Sequence, residues 1–267
     1  MAIEIELSQT PSVPLEVEKI RPDLMLGQTP TQIMKEKIFH GKEEIEFGEF
    51  FSVKGDSQDQ THCWNGDMSG VHWIGKCLSS GKITVNGNCG RHLGSEMSGG
   101  EISVSDDASD WVGAEMSGGL IRVDGNAGHL IGAAYRGSAR GMRGGTILVK
   151  GKTGNEVGHT MRRGMIAVGA VGDLTGFNML AGSILVFGEC GIRHGAGMHR
   201  GTIAFLGSHR PEALPTFRFS CRQDLTILCL AKKYLLRNGF DFPFPDYVDL
   251  YHGDFLEGGR GEILLAA

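Results

Sequence analysis

The sequence predicts an all-β fold, a parallel β-solenoid of about 19 residues per coil, with an N-terminal cap and a C-terminal helix and extended tail. Three observations predict it: an internal repeat, columns of like apolar residues within the repeat, and the absence of proline from it. In such a fold each coil hydrogen-bonds to the next, so equivalent side chains stack inward as ladders.

The repeat begins at a glycine in each period. Successive starts are 19, 19, 26, 19, 18 and 19 residues apart, at Gly81, Gly100, Gly119, Gly145, Gly164, Gly182 and Gly201. A period near 19 is too short for helix–helix repeats and fits one coil of a solenoid. The longest period carries an insertion within AAYRGSARGMRGG, from Ala133 to Gly145.

Stacking the periods aligns three apolar columns. Two of them are two residues apart, the spacing of side chains on one face of a strand. The first column is Ile83, Ile102, Ile121, Ile147, Ile166, Ile184 and Ile203. The second is Val85, Val104, Val123, Val149, Val168, Val186 and Phe205. The third is predicted to fill the core at a corner of each coil; it consists of Met97, Met116, Met142, Met161, Met179 and Met198.

The positions of proline support the same fold. All eight prolines lie at positions 11–30 and 211–245, outside the repeats, as expected where backbone N–H groups must join ladders. A left-handed hexapeptide β-helix ranks second, because its six-residue sub-period is not visible here.

The chain is predicted to have three parts. Residues 1–65 form an N-terminal flank and cap, residues 66–207 the solenoid, and residues 208–267 a C-terminal helix and docking tail. Caps are expected because an exposed edge ladder pairs with other chains. A helix is predicted after Asp224, with Leu225, Leu228, Tyr234 and Leu235 near one face and Gly239 as its stop.

The composition disfavours several classes of protein. The 267-residue chain has a formal net charge of −5 and no basic run, which argues against nucleic acid as its main partner. No apolar stretch approaches the ~18 residues of a transmembrane helix, and the N-terminus is unlike a signal peptide, so we expect a cytoplasmic protein. No two cysteines form a C-x-x-C pair, so zinc-ribbon and iron–sulfur spacings are absent.

Groups that could support catalysis or bind metal are better explained structurally. Four histidines lie in turn regions of the coils: His92, His129, His159 and His194. They do not share a column, so we expect solvated turn residues rather than convergent metal ligands. Asp106, Asp107 and Asp110 lie along one coil, with no second carboxylate facing them across a cleft, so glycoside hydrolysis is not expected. We predict no catalytic, cofactor-binding or metal-binding residue in this chain.

A basic loop and a basic strip are more informative. The insertion places Tyr135, Arg136 and Arg140 on a loop that should project from one face. A second basic set falls just after the Met column of successive coils: Arg143, Arg162, Arg163, His199 and Arg200. These residues either form a solvated face or contact a carboxylate-rich ligand or a partner subunit.

The glycines within the coils add a family resemblance. The pattern GxxGxxxG occurs five times in register, beginning at Gly87, Gly125, Gly151, Gly169 and Gly188, whereas the coil at Asp106 departs from it. This pattern resembles the right-handed β-helix family of the glutamate synthase C-terminal domain and of the C subunit of formylmethanofuran dehydrogenase. The insertion and three flanking segments are similar to the second: VPLEVEKIRPD (Val13 to Asp23), FGEFFSVKGD (Phe47 to Asp56) and YHGDFLEGGRGEIL (Tyr251 to Leu264).

The resemblance implies a non-catalytic scaffold subunit of the complex that reduces CO2 and forms formylmethanofuran in the first step of methanogenesis. It implies partner subunits with a tungsten- or molybdenum-pterin centre, a binuclear metallohydrolase-like site and iron–sulfur clusters, and no such centre in this chain. We expect the basic loop and strip to contact a neighbouring subunit or the glutamyl tail of methanofuran, whose carboxylates need cations.

Three alternatives stay open. One is the homologous subunit of the bacterial formyltransferase/hydrolase complex of formaldehyde oxidation, although the N-terminal flank is more similar to the archaeal enzyme. Another is a glutamate-synthase-like docking module, which we disfavour because no amidotransferase or FMN domain is recognisable before the repeats. The last is an enzyme in its own right, such as a carbohydrate-active β-helix.

Overall fold

The computed structural model describes residues 2–224 and 226–267, except for the side chain of Ile227. β-Strands dominate it, which confirms the predicted all-β fold. The strands are β1 (Ile3–Leu7), β2 (Leu15–Glu16), β3 (Lys37–His40), β4 (Glu43–Glu46), β5 (Phe51–Lys54), β6 (Thr61–Asn65), β7 (Val71–His72), β8 (Lys82–Asn86), β9 (Glu101–Val104), β10 (Leu120–Val123), β11 (Arg143–Lys152), β12 (Arg163–Ala170), β13 (Ser183–Val186), β14 (Arg200–Phe205), β15 (Arg218–Gln223), β16 (Val248–Gly253) and β17 (Arg260–Ala266). The helices are α1 (Pro22–Met25), α2 (Pro30–Met34) and α3 (Thr226–Arg237), with 3-10 turns at Phe47–Glu49, Ser57–Asp59 and Phe255–Glu257.

Over the described residues, one 13-stranded sheet runs in the order β15-β16-β17-β14-β13-β12-β11-β10-β9-β8-β6-β1-β5. A second sheet, β4-β3-β2-β7, lies at the N-terminal side of the chain. Each strand of the repeat pairs in parallel with the strand one period later. Antiparallel neighbours bound this parallel run, β5 beside β1 and β16 beside β17. The antiparallel strands therefore cover both ends of the repeat ladder.

The pairing register explains the core. Ile83 lies opposite Ile102, and the same pairing continues along the Ile column to Ile203. Every Ile and Met of the predicted columns is fully buried, and no member of the second column is more than 1% exposed. The interpretation of these columns, including the methionines, as core is confirmed.

The ladder extends beyond the repeats that are visible in the sequence. On one side, His62 of β6 lies between Ile3 of β1 and Ile83 of β8. On the other side, Ile263 of β17 lies opposite Ile203. Strands that flank the repeats in the sequence thus add further rungs to the same sheet.

Helix α3 packs on the outer face of the sheet. Leu228, Ala231 and Leu235, spaced three and four residues apart, are buried against apolar side chains of the sheet. Tyr234 stays 41% exposed, but its hydroxyl lies 3.0 Å from Thr146 Oγ1. The helix ends before Gly239, whose φ is +72°, as predicted; Leu225 lies outside the described residues. Among the described helices, none has the length and apolar character that a membrane span needs.

Candidate functional site

A ladder of polar side chains joins successive repeats at one of their turns. Asp110 Oδ1 accepts a hydrogen bond from the backbone N–H of His129 at 2.9 Å, and His129 Nδ1 accepts one from Asn155 N–H at 2.9 Å. Asn155 Oδ1 in turn accepts from Asp173 N–H at 2.9 Å. Each acceptor satisfies a backbone donor of the following coil at a turn. These residues act as structural acceptors, and His129 does so while it stays exposed, as expected of a turn histidine.

The same ladder explains the second glycine of the GxxGxxxG pattern. The carboxamide of Asn155 lies where a Cβ at Gly172 would stand, and the His129 ring lies 2.6–2.9 Å from the corresponding position at Gly154. A side chain at either glycine would displace the acceptor from the N–H that it binds. The glycine spacing is therefore a consequence of contact between neighbouring coils.

Aromatic rings of three repeats and of the inserted loop stack together. The rings of Trp73 and His92 are almost parallel with centroids 3.9 Å apart, and Trp111 stacks 6.0 Å beyond His92. The Tyr135 ring lies 5.0 Å from Trp111, and its hydroxyl is 3.0 Å from His92 Nδ1. The inserted loop therefore folds back onto the coils at Tyr135, because this ring gains aromatic contacts. The expectation that Tyr135 projects is wrong.

Burial determines the protonation states in this stack. It lowers the pKa of His92 to about 4 and raises the pKa of Tyr135 to about 12. At neutral pH the phenol is protonated and the imidazole is uncharged, so the Tyr135 hydroxyl can donate to Nδ1. His194, which is 3% exposed, places Nε2 2.9 Å from Gly191 O. The expectation of a solvated turn histidine is therefore wrong for His194, and His92 is partly buried in the aromatic stack.

Beyond Tyr135 the loop leaves the coils. Arg136 and Arg140 are exposed, and within the described residues neither guanidinium forms an ion pair or side-chain hydrogen bond. The loop base is fixed because the Tyr135 N–H donates to Glu115 Oε1 at 2.9 Å. The loop thus presents two arginines from an anchored base.

The basic strip lies along one edge of the coils. Four of its arginines are the first residues of strands that pair with each other. Arg143 of β11 lies opposite Arg163 of β12, and Arg200 of β14 lies opposite Arg260 of β17. We call the exposed set the arginine edge; it consists of Arg143, Arg162, Arg163, Arg200 and Arg260. In the part of the chain that the structure describes, none of the five forms an ion pair or a side-chain hydrogen bond. Leu180 and Ala181 separate its two halves.

The sequence interpretation missed Arg260. The signal was present, because RGEILL from Arg260 to Leu265 has the same pattern as RGTIAF from Arg200 to Phe205. The residues from 206 to 259 separate the two segments, so the 19-residue period does not extend to β17. His199, predicted within the strip, instead places Nδ1 3.3 Å from Glu257 Oε2.

Among residues 2–224 and 226–267, no group of three or more His, Cys, Asp or Glu side chains is placed to hold a metal ion. The candidate site consists of the arginine edge, the aromatic stack and the inserted loop.

The glycine-patterned coils match a known family. The model of the GXGXG motif family covers residues 67–215, more than half of the chain. This chain belongs to the GXGXG motif family. The match contains the polar corner ladder, the aromatic stack from Trp73 to Tyr135 and four of the five residues of the arginine edge.

Named relatives of this GXGXG chain are formylmethanofuran dehydrogenase subunits, which confirms the resemblance. It is 35% identical over 91 residues to the C subunit of tungsten-containing formylmethanofuran dehydrogenase 2 of Methanothermobacter thermautotrophicus, covering 33% of this chain and 34% of that protein. It is 41% identical over 83 residues to the C subunit of the molybdenum-containing enzyme 1 of Methanothermobacter marburgensis, covering 31% and 21%. The chain thus spans about a third or less of the length of these relatives.

A solved structure is similar over nearly the whole GXGXG chain. It is a chain of the formyltransferase/hydrolase complex (FhcABCD) from Methylorubrum extorquens, crystallised in complex with methylofuran. The TM-score is 0.90 at 29% sequence identity, and 99% of each chain is covered. That neighbour is part of a multi-subunit complex.

Tyr135→Ala should release the loop of this GXGXG chain. We expect trypsin to cleave the folded chain after Arg136 and Arg140 roughly tenfold faster, because the ring contacts that close the loop are lost. Tyr135→Phe is the matched control, since it keeps the ring and removes only the hydroxyl. Equal cleavage of Tyr135→Ala and wild type would show that Tyr135 does not hold the loop.

Proposed function

We propose that this chain is the non-catalytic C subunit of a formylmethanofuran dehydrogenase, the complex that reduces CO2 and forms formylmethanofuran. The observation that carries this proposal is its 35% identity over 91 residues to a protein of that name. The candidate site is in keeping with a scaffold role, because exposed arginines and an anchored loop suit contacts with another molecule. In this proposal the pterin-bound tungsten or molybdenum, the binuclear metal site and the iron–sulfur clusters belong to partner subunits.

We also propose that the repeats coil as a right-handed parallel β-helix. A second line of parallel pairing supports this: besides the main ladder, bridges join Met68 to Cys89, Cys89 to Ala108 and Ala108 to Ala127. A coil that hydrogen-bonds on more than one side forms a stiff rod with long faces. In this arrangement residues 1–65 form the N-terminal flank and cap, residues 66–207 the solenoid, and residues 208–267 the C-terminal helix and docking tail. Strands β1, β6 and β17 add rungs at the ends of the solenoid ladder.

A second candidate function is the equivalent C subunit of the bacterial formyltransferase/hydrolase complex. It is favoured by the structural match to a chain of that complex, which covers 99% of both chains. The two candidates differ in their expected partners, because only the dehydrogenase would bring a pterin-bound metal and iron–sulfur clusters. The basic loop and strip would serve either complex.

The test is gentle purification of the tagged chain from its own host, followed by mass spectrometry and metal analysis. Pterin-binding, metallohydrolase-like and iron–sulfur subunits, recovered with tungsten or molybdenum, are the expected result. A formyltransferase subunit recovered without these metals would establish the second candidate. A lone chain in the cytoplasmic extract would contradict both.

The loop gives a second test. We propose that Arg136 and Arg140, presented from the base that Tyr135 anchors, contact a neighbouring subunit or the carboxylates of the methanofuran tail together with the basic strip. Arg136→Ala/Arg140→Ala should then lower recovery of partner subunits, or raise the KM for methanofuran, several-fold. Lys54→Ala/Lys233→Ala removes two exposed cations elsewhere and is the control. If recovery and KM both stay at their wild-type values, the loop has no such role.

A further inference from the structure

We propose that the arginine edge and the neighbouring side chains of Phe255 and Leu256 form one docking surface for a partner subunit. The matching face of that partner would carry carboxylates around an apolar socket. This inference rests on the proposed function, because it assumes that the chain works inside a complex. It goes further by naming the surface and the chemistry of what binds there.

The first argument is the pairing of like charges within the sheet. Arg143 lies directly opposite Arg163, and Arg200 lies directly opposite Arg260. Like charges at directly opposed positions of a sheet destabilise it. Two such pairs on one edge offer no benefit to the isolated chain, whereas a partner that supplies carboxylates would turn the repulsion into attraction.

The second argument is that no carboxylate of the described residues pairs with an arginine of the edge. Glu257 faces His199 at 3.3 Å, and Glu262 Oε2 accepts a hydrogen bond from Thr202 Oγ1 at 2.8 Å. The whole chain has a formal net charge of −5, so five arginines without a carboxylate partner among the described residues are a local exception. Charge complementarity therefore favours an acidic partner.

The third argument is a pair of exposed apolar side chains, Phe255 and Leu256, at the end of the arginine edge. Leu256 is 80% exposed and Phe255 is 51% exposed, in the 3-10 turn that precedes β17. Asp254, itself 4% exposed, fixes this turn because its Oδ1 accepts the Leu256 N–H at 3.0 Å. Because this turn already fixes the backbone at Leu256, binding a partner there loses little further conformational entropy. Leu256 can therefore act as an anchor for the partner.

Phe255 and Leu256 are contiguous with the arginine edge. Glu257 of the same turn contacts His199, which precedes Arg200, and the Arg218 guanidinium lies 5.8 Å from the centroid of the Phe255 ring. At a strand spacing of ~4.8 Å, the edge from Arg143 to Arg260 extends over roughly 19 Å. A polar strip of this length beside an apolar anchor has the composition of a protein–protein interface.

The experiment uses the tagged full-length chain, purified with its partners from the host. Arg260→Glu places a carboxylate opposite Arg200, so the isolated chain should melt at the same or a higher temperature. The same substitution, and separately Leu256→Asp, should lower recovery of partner subunits roughly tenfold at physiological ionic strength. Lys233→Glu and Leu236→Asp, both on the exposed side of α3, are the matched controls and should leave recovery unchanged.

Opposite outcomes separate this inference from the proposed function. If wild type recovers partners and both edge variants recover them equally well, the docking surface is overturned while the proposed function stands. If the wild-type chain recovers no partner subunits, both the docking surface and the proposed function are contradicted. Variants that keep their partners but show a raised KM for methanofuran would assign the edge to the methanofuran tail instead. A wild-type dimer that the variants abolish would make a second copy of this chain the occupant.

Discussion

Gly158→Ala should lower the free energy of unfolding by about 2–4 kcal/mol. Gly158 has φ +71°, a left-handed conformation in which alanine is strained. A Cβ there would also stand 2.5 Å from Cδ1 of Ile184, which is fully buried in the repeat that begins at Gly182. Ile184 belongs to the Ile column, so it cannot move without disturbing the packing of its neighbours. Denaturant unfolding of the full chain measures the loss.

Gly137→Ala is the matched control. Gly137 has φ +88° but nothing within 4 Å of the position of its Cβ. It therefore reports the cost of the left-handed conformation alone, about 1 kcal/mol. The difference between the two variants isolates the contact with Ile184. Equal losses would show that the third glycine of the pattern is needed for its backbone conformation only.

His62→Ile should stabilise the chain by about 1–3 kcal/mol at pH 7. His62 occupies the Ile column between Ile3 and Ile83, where it is 1% exposed. Both of its ring nitrogens lack a hydrogen-bond partner among the described residues. An isoleucine continues the column and removes two buried polar atoms. A lower stability of the variant would show that these nitrogens are satisfied in solution.

The same substitution should flatten the pH dependence of stability. Burial lowers the pKa of His62 from 6.5 to about 4, and the nearby charges of Asp23 and Asp59 only partly oppose this shift. As the pH falls from 6.5 towards 4, His62 becomes protonated in the unfolded chain but stays neutral in the folded chain. Stability is therefore full above pH 6.5 and falls by up to about 3 kcal/mol as the pH approaches 4.

Unfolding curves from pH 7 to pH 4 check this slope. In His62→Ile the contribution of His62 disappears, while His92 and His194, whose pKa values burial also lowers, keep theirs. Ile83→Val changes the neighbouring rung of the column without removing a titratable group and should leave the wild-type slope unchanged. A His62→Ile variant with the wild-type slope would contradict the assignment.

The core of this fold was predictable from the sequence because its positions repeat. Met97 and Ile102 recur at fixed offsets in each coil, and a parallel ladder converts that period directly into stacked side chains. The helix ending before Gly239 was also predictable, since its apolar spacing and its stop are local signals. Predictions of this kind need only neighbouring residues or a constant period.

Features that depend on distant partners were not predictable. His62 does not look like a member of the Ile column until β6 is seen beside β8. Tyr135 was placed on a projecting loop, since no local pattern shows that its ring returns to Trp111. The sequence did not predict Arg260 as part of the arginine edge for the same reason, because only the pairing of β17 with β14 brings it there. In each case tertiary contact, not local pattern, decides the position.

The pairing of β17 with β14 also bears on how the chain folds during synthesis. β17 can pair with the free edge of β14 only after the residues from 206 to 259 have left the ribosome. At the usual pace of translation that interval lasts on the order of several seconds. During that interval one edge of β14 is unpaired, and a strand of another nascent copy could pair with it. Expression yield should therefore depend on chaperone supply more than the stability of the finished protein would suggest.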